Sequence, residues 1–103
     1  MNAGADGAGV LHLLLNLEQE TWKACSACCT PRDTVLLIDQ GVMGLACSGA
    51  IPQTLFPCRV AASSVDASAR GLPIGQTGLG IEFVDDSEVI ELIEAHAQCL
   101  SWR

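Results

Sequence analysis

The run Thr34-Val35-Leu36-Leu37-Ile38-Asp39-Gln40-Gly41-Val42 constrains this chain more than any other stretch. Apolar residues, mostly of high strand propensity, lead straight into an acidic, polar, glycine-bearing corner, and the small-residue segment Met43-Gly44-Leu45-Ala46 follows with helical character. An uninterrupted apolar run closed by a glycine turn reads as a strand buried on both faces, the kind found in parallel sheets. Open α/β sheets gather their working residues outside the carboxyl ends of such strands, which draws attention to the Asp39–Gly41 corner.

The rest of the chain repeats the alternation. Val10 to Leu15 reads as a first strand, and the composition from Glu18 to Cys29 is helical until Pro31 stops it. Val35–Asp39 is the second strand, with a short helix running through Cys47 and a loop from Ser48 to Pro57. Cys58–Ala62 reads as a third strand. Ser63 and Asp66 have the spacing of a helix start, and Arg70-Gly71 that of a helix end, with glycine as the left-handed cap. Residues 71–80 are glycine-rich and irregular, and Ile81–Val84 is a fourth strand. Asp85 and Asp86 cap a last helix from Glu88 to Gln98, with Val89, Ile90, Leu92, Ile93 and Ala97 expected inward and Glu88, Glu91 and Glu94 outward. Residues 1–9 form an expected flexible tail, and residues 10–103 form one α/β domain. That domain has a mainly parallel sheet of about four to five strands, right-handed crossovers and helices on both faces.

Composition narrows the function classes. At 103 residues there is room for one small domain and none for a separate substrate domain. Half the residues are hydrophobic, yet only 4% are aromatic, so the core is aliphatic. So much aliphatic content in so short a chain points to burial against another subunit. The net charge of −7, with Lys23, Arg32, Arg59, Arg70 and Arg103 scattered, provides no basic cluster. Direct nucleic-acid binding and attraction to anionic membranes are therefore not expected. The apolar runs are far shorter than the roughly 20 residues of a membrane-spanning helix. The N-terminus lacks the basic and apolar regions of a secretory signal, so a cytoplasmic location is expected. With no export signal, the six cysteines (Cys25, Cys28, Cys29, Cys47, Cys58 and Cys99) are expected to be reduced thiols, most of them small buried hydrophobes.

At this point the order of segments resembles the TusB/DsrH family of sulfur-relay proteins. The Leu11-His12 strand, the Leu36-Leu37-Ile38-Asp39-Gln40-Gly41 corner, the Asp66…Ala69-Arg70-Gly71-Leu72 helix end, Ile81–Asp86 and the terminal Leu100-Ser101-Trp102 all agree in sequence order. The resemblance covers roughly residues 10–103 and lies in the joint order of the motifs, none of which is specific alone. It implies a DsrE/F/H-like fold and assembly with TusC/DsrF-like and TusD/DsrE-like paralogues into a heterohexamer that passes sulfur as cysteine persulfides. The end point is 2-thiolation of a tRNA wobble uridine in the TusBCD branch and sulfur oxidation in the DsrEFH branch. The principal sulfur carrier belongs to the TusD/DsrE-type partner. The DsrH branch has its own cysteine ten residues before the buried strand, and Cys25 occupies that position before Val35. Two features depart from the family pattern: the corner reads Asp39-Gln40-Gly41 rather than acid-acid-Gly or polar-Asp-Gly, and Cys28 and Cys29 are additional.

Sulfur transfer needs an accessible thiolate close to positive charge. Lys23 and Arg32 flank Cys25 at the wrong helical spacing to touch it, and the thiol stands late in its helix, where the dipole disfavours an anion. The Cys25-Ser26-Ala27-Cys28 sequence matches CxxC, but thioredoxin-type chemistry uses that motif at a helix N-terminus, whereas here it falls near the C-terminus. A zinc site built from Cys25, Cys28 and Cys29 plus distant cysteines lacks the second paired knuckle of structural zinc domains. His12 reads as a core or edge residue and His96 as a surface residue of the last helical turn, neither with a triad partner. Asp39 is expected to bond the turn around Gly41. The glycines at 75, 78 and 80 precede a strand rather than follow one, so they do not make a phosphate cradle. The acidic stripe Glu88, Glu91 and Glu94 is a solvated face that also suits steering of a basic partner.

The expected function is that of a sulfur-relay subunit acting mainly as an interaction partner, with Cys25 as accessory persulfide acceptor and with no cofactor or metal. Two alternatives come from other classes: a self-sufficient thiol oxidoreductase using Cys25 and Cys28, and a homo-oligomeric α/β module without thiol chemistry.

Overall fold

The structure, a computed structural model, describes residues 9–16, 18–45, 58–72 and 81–103. The tail at 1–8, Cys47, the loop at 48–57 and the glycines at 75, 78 and 80 lie outside the described residues.

Five strands, β1 (Val10–Leu14), β2 (Thr34–Leu37), β3 (Arg59–Ser63), β4 (Glu82–Val84) and β5 (Gln98–Trp102), form one sheet in the order β4-β3-β2-β1-β5. Every pairing is parallel. The apolar run Thr34–Leu37 is β2, central in the sheet and buried at all four positions. Its side chains alternate between two cores: Val35 and Leu37 join Leu14, Val60 and Ala62, while Leu36 joins Leu11, Ala61 and Val84 on the opposite face. A strand covered on both sides needs this continuous apolar sequence, because neither side-chain row meets water.

Handedness then distributes the helices. The chain steps outward from β1 to β4, and right-handed crossovers in one direction put their helices on one face. Accordingly Trp22 and Cys25 of α1 (Gln19–Cys28) and Ala67 of α2 (Ser64–Ala69) share a single core. The return from β4 to β5 reverses direction and carries α3 (Asp86–Ala95) to the other face, where Leu92 and Val89 pack. Five strands span about 19 Å between outer axes, and a helix covers about 10 Å. Among the described residues α3 is the only helix packed on that face, and Ile90 and Ile93 stay 57% and 45% exposed. The sequence pattern placed both inward together with Ala97. In fact only Leu92 and Val89 reach the sheet, and Ala97 is exposed beyond the helix end.

The boundaries follow local chemistry. The Ser63 hydroxyl accepts the Asp66 N–H at 3.1 Å and starts α2. The helix closes on a Schellman pair, Leu72 N–H to Ala67 O and Gly71 N–H to Ser68 O, with Gly71 at φ 72°. A reciprocal Asp85/Glu88 capping box starts α3. The last helix ends at Ala95 rather than Gln98, because Gln98–Trp102 pairs with β1 as a fifth strand. The expected short helix after β2 is a 3-10 helix, Asp39–Leu45. Gly41 lets it pass the end of β1, since a Cβ there would lie 1.9 Å from the Leu14 carbonyl oxygen. None of the described helices is long and apolar enough to cross a membrane.

Candidate functional site

Helix α1 runs back across the sheet after β1, so its C-terminal turn lies at the amino ends of the strands. There it delivers Cys25, fully buried, and the half-buried helix-capping residue Cys29. The i, i+4 spacing sets both thiols on one helix face. His12, buried on β1, brings a ring nitrogen to them: the ligand-capable atoms of His12, Cys25 and Cys29 all lie within 4.8 Å of one another. Cys58, immediately before β3, is half-buried and hydrogen-bonds with Cys29. These residues come from three separate segments, and adjacent parallel strands bring them to one spot.

Asp33 organises this end of the sheet. Its Oδ1 accepts the Val10 N–H and the Thr30 hydroxyl, each at 3.0 Å. Its Oδ2 accepts the Thr30 N–H at 3.0 Å and meets His12 Nε2 at 2.9 Å. On the far side of the imidazole, Trp102 Nε1–H donates to His12 Nδ1 at 3.0 Å. An indole N–H can only donate, so Nδ1 is the acceptor and Nε2 carries the proton donated to Asp33. The chain Asp33–His12–Trp102 thus links the approach to β2, then β1, then the edge strand β5. Burial would raise the Asp33 pKa, but the bonds from Val10, His12 and Thr30 outweigh it and hold the carboxyl at about 2.

Cys29 and Cys58 are poor nucleophiles in this setting. The hydrogen bond with Cys25, then burial, push the Cys29 thiol far up. Burial, followed by the charge and hydrogen bond of Cys29, pushes Cys58 up to about 12. Of the described cysteines only Cys25 is fully buried, so the expectation that most are small buried hydrophobes fails; Cys28 and Cys99 face solvent. Cys25 and Cys28 therefore diverge, one into the core and one into water, in the last turn of α1. The partner that the core gives Cys25 is Cys29.

A second polar group sits at the opposite end of the sheet. Asp39, left-handed at φ 52°, sends its backbone N–H to Asp66 Oδ2 at 2.6 Å. Its carboxylate meets Arg70 Nη2 at 2.6 Å rather than bonding the Gly41 turn. Instead the Gly41 N–H bonds Ile38 O at 2.8 Å. The corner that the sequence singles out and the thiols of α1 thus occupy opposite ends of the strands. His96 also has a different place from the surface position expected: it is half-buried, with Nδ1 2.6 Å from Leu92 O and Nε2 2.9 Å from Thr34 Oγ1. The roles of Asp33, His12 and Trp102 went unread because no local motif joins positions 12, 33 and 102. The one available signal was a buried-strand histidine that needs a polar partner.

The family model described as DsrH like protein matches residues 16–99. Among solved structures, the chain is similar to the solution NMR structure of protein Tm0979 from Thermotoga maritima. The TM-score is 0.58 and the identity 22%, over 82% of this chain and 91% of that one. At that identity the likeness is one of fold. No curated protein sequence matches the chain.

Proposed function

Because the chain belongs to the DsrH-like protein family, we propose that it is the DsrH/TusB-type subunit of a sulfur-relay complex, present mainly to complete the assembly. Its partners in this reading are TusC/DsrF-like and TusD/DsrE-like paralogues in a heterohexamer. The persulfide sulfur passed by the complex goes to tRNA wobble-uridine thiolation or to sulfur oxidation. The observation that carries the scaffold role is the apolar surface left on α3, where Ile90 and Ile93 are 57% and 45% exposed. Obligate interfaces are built from such surface.

Cys25 is the accessory acceptor that the family resemblance implies. Its side chain is packed with Leu14 and Trp22 in the core, so loading it with sulfane sulfur requires that packing to open. The test uses the complex co-expressed with its two paralogues. Light scattering reads its mass, and mass spectrometry locates any cysteine carrying one added sulfur atom. A chain that stays apart from both paralogues refutes the subunit reading. If Cys25→Ser leaves transfer by the complex intact, the chain is a scaffold; if transfer stops while the complex still assembles, Cys25 is an acceptor.

A further inference from the structure

We propose that the thiol–imidazole cluster at the amino ends of β1, β2 and β3 binds one soft, thiophilic metal ion of the zinc class, held by Cys25, Cys29, Cys58 and His12. The sequence offered no such site, because Cys25, Cys28 and Cys29 lack a second cysteine pair downstream. The fold changes the donor set: it turns Cys28 to solvent and supplies the missing half from the strands, His12 from β1 and Cys58 from the approach to β3.

The geometry is close to that of a bound ion. Zinc–sulfur and zinc–nitrogen bonds of about 2.3 and 2.0–2.1 Å put tetrahedral ligand atoms about 3.3–3.8 Å apart. The donors of Cys25, Cys29 and His12 are already within 4.8 Å of one another, so closure needs a contraction of about 1 Å. Cys58, beside Cys29, lies outside that group of three and needs a larger shift to close on the ion as the fourth donor. Three sulfurs and one imidazole select zinc or cuprous copper over magnesium or calcium, which take oxygen. Each thiol that ligates releases its proton to solvent.

The surroundings also match. Metal-binding histidines use their other nitrogen to bond a carboxylate or similar group, which fixes the ring. Both nitrogens of His12 are held here, by Asp33 and by Trp102. An ion takes the place of one of these bonds, and the other remains as the outer support. Cys29 and Cys58 are only half-buried, so an ion has a way in from solvent. Cys25 serves either as metal ligand or as sulfur acceptor and not as both at once, so it takes up sulfur only in the metal-free chain; the metal site itself does not depend on the relay reading.

The full chain is purified under reducing conditions, stripped with a chelator and titrated with Co²⁺, then with Zn²⁺. One equivalent of Co²⁺ is expected to give near-ultraviolet thiolate charge-transfer absorption and the visible bands of a tetrahedral ion, both removed by one equivalent of Zn²⁺. Cys29→Ser and Cys58→Ser should each weaken binding at least about tenfold, the scale on which even outer partners of a ligand act. Cys28→Ser and Cys99→Ser should bind like the parent protein. Circular dichroism establishes that each variant is folded; if one of the two ligand variants is not, the other decides. Co²⁺ spectra without charge-transfer bands, or parental affinity in a folded Cys29→Ser or Cys58→Ser protein, overturn the proposal.

Discussion

Asp33→Asn is the sharpest test of how this fold is held. The carboxylate accepts four hydrogen bonds while almost fully buried, at 5% exposure. Asparagine keeps one acceptor oxygen and replaces the other with an NH2 group. Placed at the Oδ2 position, that group faces the Thr30 N–H and the His12 Nε2–H, both donors. Placed at Oδ1, it faces the Val10 N–H, and only the Thr30 hydroxyl can turn to accept. Either way at least one buried donor is left unpaired, and the charge assistance of the remaining bonds disappears. The cost is about 2–4 kcal/mol. For a chain of this size that lowers the melting temperature by roughly 10–25 °C. Titration gives an independent figure. A carboxyl lowered from 3.8 to about 2 contributes stability that is fully present above its unfolded pKa and lost as pH falls through about 2. The contribution is roughly 2 kcal/mol. Metal-free Asp33→Asn protein should therefore melt early at pH 7 and lose about 2 kcal/mol less stability than the parent between about pH 4 and pH 2. A variant that melts within 2 or 3 °C of the parent at pH 7 would refute the argument that Asp33 ties β1 to β2.

Gly41→Ala should lose about 1–3 kcal/mol in urea denaturation, because its methyl group meets the Leu14 carbonyl oxygen and the 3-10 helix must shift. Asp85→Ala removes one side of the α3 capping box and should cost about 1 kcal/mol by the same measurement. Arg59→Ala breaks an ion pair to Glu82 at 2.7 Å between side chains 45% and 53% exposed, so chemical denaturation should change by less than about 1 kcal/mol. Ile90→Glu should leave the melting temperature of the isolated chain nearly unchanged, since the side chain is 57% exposed, yet reduce co-purification with the paralogous subunits.

The elements themselves were legible because their signals are local. Ser63 with Asp66, Arg70 with Gly71, and Asp85 each act within a few residues, and each marks a helix end within two residues of where the pattern placed it. The fifth strand was not legible as a strand. Gln98–Ser101 is exposed, so it lacks the apolar or alternating pattern that marks a buried strand, and its order comes from pairing with β1. Ile90 and Ile93 misled for the opposite reason: periodicity identifies an apolar stripe but not whether enough sheet lies beneath it.

What the sequence determined by itself was therefore the repeated strand–helix order and the central position of Thr34–Leu37, because a continuous apolar run has to be covered on both sides. Only the tertiary structure decided which polar groups meet. Parallel pairing in register brings positions 12, 33 and 102 into one hydrogen-bonded chain, and it gathers Cys29 and Cys58 at one end of the sheet while Asp39, Asp66 and Arg70 gather at the other. Contacts between residues so far apart along the chain depend on strand order and crossover hand, which no local run of residues encodes.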